Sequence, residues 1–323
     1  MSLIQNGINN ATSPHADEVI KILHKVYDLF KIGQFDEAIL LLEEALKLDL
    51  EFNGVASALK CANFWQERHL KLEDIGQKFE QAEYLIQQWD IFCPFIVHIE
   101  EKSERCLFSL KQYVFGTALA AYLSIMDSTS MYDTDIFLKI GICYKALGDY
   151  ERSIEYFSYA NKQSPGIPTV LIELADCYSL INELRIAKAF FREAFFINPD
   201  AVNLNRIESG MIHKLVEKIE NMSINEKDIK YWVPVYGAIY GVFNIKRELR
   251  PLEFGRLRQA IYSLEKEYSQ NSERTSRTLP KLLNHYFWLI DHYTSSKEDK
   301  SKINEVLDKI KQLDPRIYQE YTN

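Results

Sequence analysis

Two adjacent stretches of the chain, 134–167 and 168–201, align with each other at a fixed step of 34 residues. The matched pairs are Phe137 and Leu171, Ile140 and Leu174, Gly141 and Ala175, Tyr144 and Tyr178, Ser153 and Ala187, Phe157 and Phe191, Ala160 and Ala194, and Pro165 and Pro199. Large residues of this kind fill the space between two antiparallel helices, and small ones let the helix backbones approach closely. A proline ends the second helix of each stretch. The period therefore predicts repeated helix hairpins.

These residues and their spacing resemble the tetratricopeptide repeat, a helix hairpin with a period of 34 residues. The resemblance implies an all-α fold, a right-handed superhelical solenoid of antiparallel helix hairpins. It also implies that the first helix of each repeat lines a concave groove. Stacked repeats of this type present a surface for binding and seldom carry out chemistry.

Weaker copies of the pattern extend the predicted repeat region to 13–201. We place the repeats at about 19–52, 63–96, 97–130, 134–167 and 168–201, with an insertion at 53–62 that extends a helix into the second unit. Residues 202–323 form a diverged helical region, with amphipathic helices predicted at 202–221 and 252–268 and a further hairpin at 284–317. This region either continues and caps the solenoid, which we favour, or forms a separate helical cap.

Composition favours an ordered helical protein. Hydrophobic residues make up 47% of the chain and charged residues 26%, with only 12 Gly and 9 Pro in 323 residues. The N-terminal residues have neither the cationic nor the apolar region of a secretory signal, and no apolar run is long enough to span a membrane. The five cysteines are odd in number and form no C-x-x-C pair, as expected of free thiols in a reducing compartment. The sequence predicts a cytoplasmic protein.

No catalytic, metal-binding or cofactor-binding motif is found. The seven histidines are scattered, without zinc-ligand spacing, and the glycine-rich phosphate loops and the nucleophile elbow are missing. We predict that the chain is not an enzyme and binds no cofactor or metal. An enzyme without a recognisable sequence signature is the remaining alternative.

The resemblance assigns groove positions to particular side chains. An apolar strip flanked by charges would suit an extended segment or a helix of a partner protein. The alternative is that these residues are covered by the chain's own C-terminal helices. The candidate groove residues are Arg105, Phe108, Leu138, Ile142, Lys145, Ile172, Asp176 and Ser179.

A second candidate surface is the arginine-rich segment 246–258. Residues 202–323 hold 20 Lys and Arg against 17 Asp and Glu, a net charge of +3 in a protein whose net charge is −8. Such a segment contacts phosphates or an acidic partner, or else its arginines simply pair with Glu248 and Glu253. The basic residues concerned are Lys246, Arg247, Arg250, Arg256 and Arg258.

The sequence thus predicts a non-catalytic scaffold or assembly factor that binds a protein or peptide partner in the groove. The alternative is a nucleic-acid-associated or regulatory protein that uses the arginine-rich segment, although the acidic net charge makes nucleic acid an unfavoured partner.

Overall fold

A computed structural model of the chain describes residues 15–50, 52, 54–99, 103–128, 133–270 and 276–323. The described residues form 15 α-helices and three short 3-10 helices, with no strand, so the all-α prediction is confirmed. The predicted start of the repeat region at residue 13 lies outside them. None of the described helices combines the length and the apolar character that crossing a bilayer requires. The helices are α1 Ala16–Lys31, α2 Phe35–Leu48, α3 Val55–Glu73, α4 Lys78–Val97, α5 Glu104–Ser128, α6 Thr134–Ala146, α7 Tyr150–Gln163, α8 Pro168–Leu180, α9 Leu184–Ile197, α10 Gly210–Glu220, α11 Ile229–Ile239, α12 Pro251–Gln270, α13 Thr278–Ser295, α14 Lys300–Leu313 and α15 Pro315–Thr322.

The fifteenth residue of a repeat decides whether the chain turns back after the first helix. In the repeats that begin at 19, 134 and 168 this residue is Gly33, Gly148 or Asn182, with φ of 75°, 84° and 64°. This left-handed conformation is open to glycine and, at lower cost than for most residues, to asparagine. The three residues therefore end α1, α6 and α8 and start the hairpin turns.

The predicted repeat at 97–130 does not form a hairpin. Its fifteenth residue is Lys111, and α5 runs unbroken through it from Glu104 to Ser128. Lysine is a good helix former and disfavours the left-handed turn, so the helix continues. This segment is one long helix that packs against α4, α6 and α1.

The small residues shared by the two clear repeats have the role that the alignment predicts. Gly141, Ser153, Ala175 and Ala187 are all buried. The Ser153 hydroxyl donates to the Gly141 carbonyl at 2.8 Å, which ties the start of α7 to the middle of α6. Because a side chain larger than serine would separate these backbones, the positions accept only small residues.

The first compact unit comprises the described residues up to Ser153. Its core contains a cluster of aromatic side chains from α2 to α5. Trp65 is fully buried and contacts Phe92 at 5.4 Å between ring centroids. Tyr113 packs edge-on against Phe35 at 5.1 Å and hydrogen bonds to His69 at 2.7 Å. Buried aromatic pairs of this kind contribute about 0.5–1.5 kcal/mol each beyond the area they bury.

The second compact unit comprises the residues from Ile154 onward. The boundary between the two compact units falls within α7, and the predicted end of the repeat region at residue 201 stays a prediction. In this unit α8 packs on α9, and α13 packs on α11, α12 and α14. The hairpin predicted at 284–317 exists as α13 and α14, and α12 covers the predicted helix at 252–268.

The helix predicted at 202–221 is shorter than expected. Residues 204–206 form a 3-10 turn, and the α-helix begins only at Gly210. Ile207 is buried before that helix starts, so the apolar periodicity of the segment reflects burial of a loop and not a continuous helix. This loop has a direct consequence for the candidate groove.

Candidate protein-binding surfaces

Helix α6 has one buried face and one partly open face. The Asp133 carboxylate caps its N-terminus by accepting from the Asp135 amide at 3.1 Å. Ile140 and Cys143 are fully buried. Leu138 and Ile142, two of the predicted groove residues, are only partly covered. The helix therefore presents an apolar stripe that folding alone does not fully bury.

Two further predicted groove residues lie on the first turns of α5 and are exposed. The Phe108 side chain is 55% exposed, and the Arg105 guanidinium approaches His24 at 2.6 Å. These residues are separate from the α6 stripe. At a rise of 1.5 Å per residue, Phe108 lies about 30 Å from the end of α5 that adjoins α6, and Ile142 about 12 Å from the start of α6. Phe108 and the apolar stripe of α6 therefore lie on different helices, near the start of α5 and in the middle of α6.

The expectation that Lys145, Ile172 and Asp176 are open to a partner is corrected by their burial. Lys145 is 6% exposed, Ile172 is 5% exposed and Asp176 is fully buried. Ile172 belongs to the apolar core of the second unit, so this part of the predicted groove is filled by the chain itself.

The loop before α10 covers Asp176. Its carboxylate accepts the backbone amides of Glu208 and Ser209, each at 2.8 Å. The hydroxyls of Ser179 and Ser209 lie 2.7 Å apart. Ser209 is the N-cap residue of α10. The Asp176 carboxylate therefore lies at the positive end of that helix and receives charge-assisted hydrogen bonds from the two amides. Ser179 remains partly exposed at the edge of this contact.

In the arginine-rich segment three of the five cations are paired with the chain's own carboxylates. Lys246 lies 3.4 Å from Asp291, and Arg247 and Arg250 lie 2.9 and 3.0 Å from Glu253. Hydrogen bonds from Arg250 and then Arg247 lower the pKa of Glu253 to about 2. The pairing expected for Glu253 is therefore confirmed.

Arg256 and Arg258 are exposed on α12, and neither has an ion-pair partner among the residues that the structure describes. Two free arginines are few for a phosphate-binding stripe, because affinity for nucleic acid grows with each phosphate neutralised. The geometry gives the nucleic-acid alternative no specific support.

The fold and these surfaces define a helical protein with hairpin repeats. Residues 134–165 match the family model of the tetratricopeptide repeat, so the chain contains such a repeat, formed by α6, the Gly148 turn and α7. The resemblance seen in the sequence is confirmed there. None of the curated proteins compared with the chain matches it.

Proposed function

We propose that the chain is a non-catalytic scaffold that binds a protein partner along α5 and α6. One observation carries the proposal: on the first helix of the matched repeat Leu138 and Ile142, which the family resemblance assigns to the groove, stay partly open, while Ile140 and Cys143 are buried. Partly open apolar residues on a rigid helix suit a partner that lays a helix or an extended segment against them.

Phe108 and Arg105 give the partner a second contact. An aromatic ring that is half exposed at a helix start supplies a large apolar area, and arginine and aromatic residues dominate the energetics of protein interfaces. Lys145, Ile172 and Asp176 are left out of the proposed surface because they are buried.

Site-specific photo-crosslinking tests the proposal. p-Benzoylphenylalanine replaces Phe108, where an aromatic side chain is already exposed, and, as a matched control, Leu40 on α2, which is 62% exposed. We expect one discrete adduct from position 108 in a lysate of the native cell, identified by mass spectrometry and reproduced with the purified partner. Equal adducts from both positions, or none from position 108, would reject this surface.

A further inference from the structure

The second unit contains a small cavity of about 130 Å³ at the C-terminal end of α9. It is lined by the last turn of α9, by Tyr231 of α11, and by Lys281, Asn284 and His285 of α13. At about 30 Å³ per molecule, this volume holds roughly four waters. The cavity is independent of the surface on α5 and α6.

Asn284 is the most informative residue of the cavity. It is only 5% exposed, yet none of the described residues hydrogen bonds to its side-chain amide. Its side-chain atoms are not among the fully enclosed atoms that lack a partner, so they open onto the cavity that Asn284 lines, where water can satisfy them. The unpaired donor and acceptor of Asn284 are therefore available to a ligand in the cavity.

His285 supplies a second acceptor. Its Nδ1 lies 2.7 Å from the Lys281 carbonyl, and because a carbonyl can only accept, Nδ1 carries the proton. Burial lowers the pKa of His285, so the ring is neutral at pH 7 and Nε2 has a free lone pair. The ring rests against Phe196 at 4.9 Å, which fixes its plane.

The charged groups beside the cavity already have partners within the chain. Lys281 and Lys230 lie 3.7 and 3.2 Å from Asp200, and Tyr231 donates its hydroxyl to the same carboxylate. Burial, followed by this hydrogen bond, raises the pKa of Tyr231 to about 12, so the phenol stays protonated. The two lysines share the single carboxylate of Asp200, so this edge of the cavity keeps a net positive charge.

The remaining surroundings disfavour both signs of charge. An anion would face the Nε2 lone pair of His285 and the carbonyl end of α9, where the helix dipole is negative. A cation would meet the three cations gathered over the Tyr231 ring: Lys281 at 4.9 Å, Arg277 at 5.3 Å and Lys230 at 5.5 Å. A carboxylate can only accept hydrogen bonds, so it would leave the acceptors His285 Nε2 and Asn284 Oδ1 without a donor. A cation would give up its hydration next to like charge.

We propose that this cavity binds a neutral carboxamide, from a small aromatic amide or from a Gln or Asn side chain. The amide N–H₂ donates to His285 Nε2 and to Asn284 Oδ1, and its oxygen accepts from Asn284 Nδ2. Phe196 and Tyr231 are aromatic residues that line the cavity around the planar group.

The test uses matched probes that differ in charge alone. Benzamide is titrated against the full-length protein beside benzoate and benzylamine, and acetyl-glutamine N-methylamide beside its glutamate analogue. Binding is followed at pH 7 by NMR shifts of the Ile197 methyls and the Asn284 side-chain amide. We expect saturable shifts for an amide with a Kd of about 1 mM, a usual value for so small a ligand. Tighter binding of benzamide indicates a small aromatic amide as the ligand, and tighter binding of acetyl-glutamine N-methylamide indicates a Gln or Asn side chain.

Two variants complete the test. Asn284→Leu should weaken amide binding about tenfold or more, because it removes both the donor and the acceptor that Asn284 offers to the ligand. Gln259→Leu, on the exposed face of α12, should leave amide binding unchanged. If Asn284→Leu fails to fold, His285→Phe, which keeps the ring against Phe196, gives the same comparison. Binding of a charged analogue as tight as that of its amide, binding that survives these substitutions, or no shift at all overturns the proposal.

Discussion

The buried ion pair between Arg192 and Asp291 gives the sharpest prediction about stability. Their side chains are 6% and 8% exposed, and they hydrogen bond directly. Arg192 also donates to the Ile245 carbonyl, and its guanidinium lies 4.5 Å from the centre of the Trp288 ring. The pair thus joins α9, the loop before α12 and α13.

Removing one partner should cost far more than removing both. Asp291→Leu leaves a buried guanidinium without a counter-ion, a change that destabilises proteins by about 3–5 kcal/mol. In the reverse variant, Arg192→Met, the half-exposed Lys246 remains 3.4 Å from Asp291 as a partial counter-ion, so this variant should cost less than Asp291→Leu. The double variant removes both charges and should return to within about 1 kcal/mol of the wild type.

Thermal unfolding of the wild type, the two single variants and the double variant measures the coupling between Arg192 and Asp291. At about 2–4 °C per kcal/mol for a unit of this size, Asp291→Leu should lower Tm by roughly 6–20 °C and Arg192→Met by less. The loss should depend little on salt, since a buried pair is poorly screened. As a control, Lys302→Ala removes the exposed pair with Glu298 and should leave Tm nearly unchanged. Single variants that melt like the wild type, or a double variant that melts like the single ones, would refute the reasoning.

Three further predictions concern turns, an acidic group and the core. Gly148→Ala should cost about 1–2 kcal/mol from left-handed strain alone, and Gly33→Ala should lower Tm further, because its Cβ would meet Tyr113 at 2.6 Å. The pKa of Glu253 is lowered to about 2, so its contribution is present above its unfolded pKa of about 4.3 and is lost as the pH falls towards 2. The stability difference between wild type and Glu253→Gln, followed by chemical unfolding, should therefore shrink over that window. Phe191→Ala should cost roughly 3–5 kcal/mol in a melt, since Phe191 is fully buried.

The sequence predicted the fold best at positions where a local backbone requirement admits only one kind of residue. The small pair Gly141 and Ser153 marks a close helix contact, and Gly148 marks a left-handed turn; both are local requirements that a single sequence displays. Lys111 carried equivalent information, since it disfavours the turn that the predicted repeat at 97–130 needed. At 97–130 this local preference of Lys111 for the helix decides the structure, and the 34-residue period does not.

The candidate site was less predictable because it depends on contacts between distant segments. Nothing in the sequence of the loop before Gly210 indicates that its amides reach Asp176, so the burial of Ile172 and Asp176 could not be foreseen. Asn284 and His285 likewise stand next to each other in an ordinary amphipathic helix. Their importance arises only when α9 and α11 close the cavity around them.

The most direct test of the proposed function is the affinity of the purified partner for the Phe108→Glu variant. Covering the exposed half of a phenylalanine ring gains roughly 1 kcal/mol, and a carboxylate at that place adds a desolvation cost, so Kd should rise about tenfold or more. Leu40→Glu introduces the same charge at an equally exposed apolar position of α2 and should leave Kd unchanged, with both variants melting like the wild type. If Phe108→Glu binds as tightly as the wild type, or if both variants weaken binding equally, the partner does not lie along α5 and α6.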